Sequence, residues 1–313
     1  MAPPYTDGGG IPDVYGGIIM KIRQQFPLSV KEAMDLDNRV VTLLGDIGVW
    51  SFHKAKEEYP DRVYNIGILE QATISVAAGL AKTGLIPVVH TIAPFLVERA
   101  YEQLMIDFGY QGLGGNFISV GASYDYAGLG STHYCPADVN ILSNIPGMQV
   151  VLPGTAQEFD TLFKQGYANG KPTYFRISEE ENTVPQDITF GKANVIKQGG
   201  MATIIAVGPM LEKVMGAVSD LDVTVLYYTS VVPFDHETLI NNLAGGRIIV
   251  VEPYYPGAVA NAWMGSPKQV DAYIYNIGVP KKFLVTYGTR QEMDRSLGLS
   301  VEGIREKILG FIG

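Results

Sequence analysis

The sequence predicts an α/β protein of two domains, each a mostly parallel sheet flanked by helices. Short apolar runs alternate with amphipathic or small-residue stretches along the whole length, the pattern of strands covered by helices. The 313 residues are enough for two ordinary cores. An acidic, polar segment from Ser178 to Asp187, carrying Pro185, separates two sets of such runs and reads as a linker.

Taken in order, the first set of predicted strands is Val40 to Leu44, Val63 to Ile66, Ile86 to Thr91, Phe117 to Val120, Gln149 to Leu152 and Thr173 to Ile177, with helices between them. Thr155-Ala-Gln-Glu158 has the form of a capping box, so a helix is expected from there to about Tyr167. The second set is Ala202 to Val207, Val223 to Tyr228, Arg247 to Val251 and Phe283 to Val285, and Ser300 opens a last helix to Phe311. The resulting division is a flexible N-terminus over residues 1–12, a first domain over 13–180, a linker over 181–191 and a second domain over 192–313. No repeat of fixed period, heptad pattern or low-complexity tract interrupts it.

A hydrophobic content of 47% marks a globular chain, and a formal charge of -9 argues against a nucleic-acid partner. The single cysteine, Cys135, excludes an internal disulfide and any multi-cysteine metal site, which fits a reducing, cytoplasmic setting. The first residues lack a basic stretch followed by an apolar one. No run approaches the roughly 20 apolar residues of a membrane span, so no membrane partner is expected.

Glu70, in Asn65-Ile-Gly-Ile-Leu-Glu-Gln71, sits where a strand ends and an apolar helix begins. It is either a solvated charge of a first helical turn or a buried working acid. The apolar flanks, Val63 to Ile66 and Ile74 to Leu80, favour burial, and a buried carboxylate needs a partner that a ligand can supply.

From Asn65 the chain continues NIGILEQATISVAAGLAKTGLIPVVHTIAPFLVERA, and from Ala127 it reads AGLGSTHYCPADVNILSNIPGMQVVLPG. These stretches resemble the pyrimidine-binding and C-terminal domains of the transketolase family, a group of thiamine diphosphate enzymes that includes transketolases, deoxyxylulose phosphate synthases and 2-oxoacid dehydrogenase β subunits. The resemblance covers nearly the whole chain. It implies a pyrimidine-domain fold followed by a transketolase C-terminal fold, and it assigns roles to particular residues.

Glu70 matches the carboxyl group that bonds the aminopyrimidine ring nitrogen and sets its protonation. Phe95 matches the aromatic ring stacked on the aminopyrimidine, with Ile92 completing an apolar wall where the family often has another aromatic. His133, in Gly130-Ser-Thr-His133, matches a histidine that moves protons at the substrate oxygen, a task suited to imidazole. Asp46, after the first strand, matches an acid beside the thiazolium, or else caps the following segment. His90 either lines the substrate site or is a hydrogen-bonded core histidine. Glu98 and Arg99 either pair across an interface or form a solvated face.

Gly121 and Leu129 stand where sugar-phosphate transketolases carry a substrate-contacting histidine and aspartate, and Glu179 stands near an arginine, with Arg176 close by in sequence. These departures imply an acceptor other than a simple sugar phosphate. They also leave open a 2-oxoacid donor, and with it a decarboxylating carboligase or a dehydrogenase β subunit. A non-catalytic interaction subunit is the alternative of another class.

The family's Gly-Asp-Gly motif and its following Asn, which hold the diphosphate through a divalent metal, do not occur. Gly45-Asp-Ile does not complete it. The resemblance therefore implies one subunit of a split enzyme with no metal ligands of its own. Thiamine diphosphate and Mg²⁺ (or Ca²⁺) would be held with a separate diphosphate-binding subunit in an α2β2 heterotetramer that moves a two-carbon ketol unit.

Overall fold

The computed structural model describes residues 20–265 and 271–313. The expected flexible N-terminus lies outside the described residues. Twelve strands are present among them: β1 Val40–Leu44, β2 Val63–Asn65, β3 Ile86–Ile92, β4 Gly115–Val120, β5 Gln149–Val151, β6 Pro172–Arg176, β7 Ala193–Lys197, β8 Thr203–Val207, β9 Thr224–Tyr228, β10 Ser230–Val232, β11 Arg247–Val251 and β12 Tyr273–Ile277. They form a seven-stranded sheet in the order β10-β5-β6-β4-β3-β1-β2 and a five-stranded sheet in the order β12-β11-β8-β9-β7.

All pairings are parallel except two, β10 with β5 and β7 with β9. The central strands β1, β4, β6, β8 and β9 are buried at every residue. Burial on both faces is why β1, β8 and β9 read as largely apolar runs rather than alternating ones, while β4 and β6 bury polar residues such as Asn116 and Arg176.

The register sets the site. Leu44 lies beside His90, Ile92 beside Val120, and Ser119 beside Arg176. The C-terminal ends of β1, β3, β4 and β6 therefore form one edge, the edge at which open α/β sheets receive ligands.

Three strands escape the sequence pattern. β7 and β12 are partly exposed outer strands of the second sheet, and β10 has three residues. The strand expected over Phe283 to Val285 does not form. Its backbone instead serves a loop of the first domain, with Leu284 O accepting from Ser131 Oγ at 2.7 Å and Thr286 O from Tyr134 OH at 3.1 Å. Phe283 and Val285 are 88% and 78% exposed, so their apolar character reflects no sheet packing.

The expected helix after Thr155 runs over Ala156–Gly166, and the Thr155 side chain accepts from Glu158 N at 3.2 Å. Glu158 takes more partners than a simple box requires. Its Oε2 accepts from Gly154 N (2.8 Å) and Tyr227 OH (2.6 Å), and its Oε1 from Gln186 N (2.9 Å). Tyr227 belongs to β9, so one buried carboxylate joins the first sheet's helix, the acidic segment and the second sheet.

Candidate active site

Helix Glu70–Lys82 begins five residues beyond β2, and its first residue is the carboxylate singled out in the sequence. Glu70 is only 3% exposed because Ile74, Ala77 and Ala78 of the same helix pack inward and draw its first turn against the sheet. Its Oε2 accepts from Arg99 Nη1 at 2.8 Å. Its Oε1 is buried with no partner. A carboxylate with one oxygen anchored and the other orphaned is costly unless a further partner arrives, and Oε1 is open to one.

β3 delivers the next group. Its last residue, Ile92, leads directly into helix Ala93–Val97, with Pro94 in the first turn, where a missing N–H costs nothing. Phe95 is half-buried on this helix. The Arg99 guanidinium lies 4.2 Å from its ring centre, and the His133 ring meets it edge-on at 5.5 Å. Arg99 thus links Glu70 to Phe95. It answers the alternatives left by the sequence, since its partner is the carboxylate within its own chain, and its spacing of four from Phe95 was the signal for it.

His133 closes a short helical turn, Ser131–His133, with Nδ1 3.0 Å from Thr132 Oγ1. This turn is held from the second domain by the bond from Ser131 to Leu284 O. Gly130 (φ +80°) has Tyr287 against it, with Cζ 2.9 Å from where a β-carbon would stand. Leu129, beside it, is 55% exposed. The structure therefore brings Glu70, Phe95, His133 and Ile92 to one edge, with Leu129 at its rim.

Other expected residues take structural places. His90 is buried, with Nδ1 2.8 Å from Ile118 O, which can only accept, so Nδ1 carries the proton. Its ring packs 4.7 Å from Phe26, and burial lowers its pKa to about 4, leaving it neutral near pH 7. The substrate-lining reading of His90 yields to that of a core histidine. Asp46, with φ 59°, caps no helix; its Oδ1 accepts from Asn65 Nδ2 and its N–H donates to Asn65 Oδ1, both at 3.0 Å. This reciprocal pair ties the exposed segment after β1 to the end of β2.

Arg176 is not a phosphate ligand in waiting. It is buried, with Nε 2.7 Å from Asp138 Oδ2 and Nη2 2.6 Å from Ser123 Oγ. Glu179 is not a bare anion either, since Oε1 lies 3.7 Å from Arg23 Nη1. The repulsion expected of it is correspondingly reduced.

Among the described residues no group of three His, Cys, Asp or Glu side chains is placed to hold a metal ion, and no helix is long and apolar enough to cross a membrane. An orphaned buried carboxyl oxygen, linked through Arg99 to a half-buried aromatic ring, does fit an aminopyrimidine, which offers a ring nitrogen to bond through a shared proton and a π-face to stack.

The chain is similar to known proteins along most of its length. Residues 20–184 match the model of the transketolase pyrimidine-binding domain, and residues 191–304 that of the transketolase C-terminal domain. An uncharacterized 33.6 kDa protein in the fasciation locus of Rhodococcoides fascians is 35% identical over 292 residues, covering 92% of this chain and 94% of that one. The 6-deoxy-6-sulfo-D-fructose transketolase subunit SqwH of a Clostridium species is 30% identical over 227 residues, covering 69% and 70%. A solved split-gene transketolase, described as an inactive β4 tetramer, superposes with a TM-score of 0.80 at 25% identity, covering 94% of this chain and 98% of that one. The chain spans about half the length of the 1-deoxy-D-xylulose-5-phosphate synthases it also matches, 47% in the case of Psychromonas ingrahamii. With both domain models matched over most of its length and a Glu70–Arg99–Phe95–His133 cluster at the sheet edge, the chain belongs to the transketolase family.

Proposed function

We propose that this chain is the pyrimidine-binding subunit of a split, thiamine diphosphate-dependent transketolase-like enzyme, which transfers a two-carbon ketol unit to an aldehyde acceptor lacking a terminal phosphate. Transketolase-family relatives use thiamine diphosphate. The separate diphosphate-binding subunit, with Mg²⁺, completes the site, in an α2β2 assembly. Two likenesses support the split arrangement: one relative is named as a transketolase subunit, and one solved structure as the product of a split gene.

The observation that carries this reading is the buried, unpartnered Oε1 of Glu70, whose sister oxygen is fixed by Arg99. When bound, the cofactor supplies the nucleophilic carbon that carries the two-carbon unit from donor to acceptor. Glu70 Oε1 would hold a proton shared with the pyrimidine ring nitrogen, and Arg99 keeps the carboxyl from turning away. Phe95 and Ile92 would fix the ring's plane. His133, with Nδ1 engaged by Thr132, would present Nε2 to the substrate oxygen and move its proton.

The acceptor reading rests on Gly121 and Leu129, and on the pairing of Arg176 with Asp138. The test is Glu70→Gln in the two-chain complex. Turnover with a ketose donor should fall by roughly 10² to 10⁴ while the circular dichroism and unfolding temperature stay near wild type. A folded Glu70→Gln complex with wild-type turnover would refute the assignment.

A further inference from the structure

The C-terminal end of β4 carries a feature that the Glu70 cluster does not use. Gly121 adopts φ +74°, a backbone conformation that side chains rarely tolerate. The space beside it is already filled. A β-carbon there would come within 2.8 Å of Tyr126 Cδ2 and 3.2 Å of Ile92 Cγ2. Tyr126 also meets His133, with ring centres 6.3 Å apart and the planes near perpendicular. One half-buried ring therefore occupies the volume that a side chain at position 121 would take, against Ile92 of the apolar wall and against the histidine expected at the reacting oxygen.

The charges nearby point the same way. Arg99 is held by Glu70, and Arg176 by Asp138. Arg290, which reaches Ser178 just beyond β6, is held by Asp125 and Glu180. A terminal phosphate placed against Tyr126 would exchange water for an aromatic ring, with each of these three cations already neutralised.

We infer that Tyr126 is the specificity-determining residue for the acceptor: its ring takes the place of a polar side chain at position 121 and selects an aldehyde whose far end carries hydroxyl or apolar groups rather than a phosphate. This rests on the transferase reading given above. Gly121 is then a consequence of Tyr126, since only glycine leaves the ring room beside Ile92.

The experiment compares wild type, Tyr126→Phe and Tyr126→Val in the two-chain complex. Two readouts are taken: the donor half-reaction, followed with ketose and ferricyanide as artificial oxidant, and kcat/KM for a free aldose and its terminal phosphate ester. Tyr126→Val is read against its own donor half-reaction, because the ring also packs on His133 and lies beside Ile92. It should raise KM for the free aldose and shift the free-to-phosphorylated preference by roughly tenfold toward the ester, with Tyr126→Phe close to wild type. An unchanged preference in a Tyr126→Val complex with a measurable donor half-reaction overturns the inference alone. A preference for the phosphate ester already present in wild type overturns it too, by assigning acceptor recognition to the partner chain. A wild-type complex with no donor half-reaction overturns the transferase reading beneath it.

Discussion

At the residue scale, Glu70 and His90 illustrate how burial acts in opposite ways on groups that sequence treats alike. Both are polar residues in apolar surroundings. Glu70 retains an ion pair on one oxygen and lacks any partner on the other, which leaves a buried acceptor open. His90 uses one nitrogen on a carbonyl and is neutral because burial penalises its charged form. Its folded pKa of about 4 lies below the unfolded value of 6.5. The unfolded chain therefore binds the proton first, and the stability that His90 contributes is present above about pH 6.5 and lost as pH falls toward 4, by up to about 3 kcal/mol. In urea titrations at several pH values, the stability advantage of wild type over His90→Gln should narrow across that window. An advantage that does not change with pH would show that His90 is not held neutral by burial. The role of Glu70 was legible as a choice between two readings, because a carboxylate between apolar runs is conspicuous in one dimension; the partner of each oxygen was not.

At the element scale, the functional edge is built from the segments that leave the strand ends rather than from the strands themselves. β3 hands over directly to the Phe95 helix, whereas β4 leads into the Gly121–His133 segment, which is steadied by residues far along the chain. Ser131 bonds to Leu284 O, a contact spanning 153 residues. Ser131→Ala removes this bond and leaves a carbonyl of the 284–287 segment without its donor, a loss of about 1 kcal/mol. Because the bond positions His133 and lies apart from both sheets, kcat/KM should fall roughly fivefold with little change in unfolding temperature. A large drop in unfolding temperature with unchanged kinetics would instead make it an ordinary packing contact. The core strands β1 and β11 were legible to the residue because strands buried on both faces are continuous apolar runs. The misread Phe283 to Val285 stretch had the same apolar look for a different reason, Phe283 and Val285 being exposed while the Leu284 carbonyl serves the first domain's loop.

At the scale of the whole molecule, the two sheets are interlocked. β10 follows β9 of the second sheet yet pairs antiparallel with β5 of the first, and Glu158 bonds across to Tyr227. Each domain therefore meets polar groups that the other satisfies, and the His133 loop depends on both. The described residues contain no set of metal ligands. Under the split-site proposal the contacts to the cofactor's diphosphate come from the partner. The purified chain alone should bind thiamine diphosphate and Mg²⁺ weakly in calorimetry, at least about a hundredfold more weakly than the complex, and adding the diphosphate-binding subunit should restore tight binding. Tight Mg²⁺-dependent binding by the single chain would remove the need for a partner.

The sequence by itself determined the two-sheet α/β class, most central strands, the Thr155 and Ser300 helix starts and the candidates Glu70, Phe95 and His133, because each is written in local periodicity, local capping or a contiguous motif. Only the tertiary structure decided which polar groups are paired. Arg176 and His90 became structural, Arg99 became the anchor of Glu70, and Tyr126 became the ring beside His133. Such pairings join residues distant in sequence, and a charge's meaning depends on what lies within about 4 Å of it, which no local pattern records.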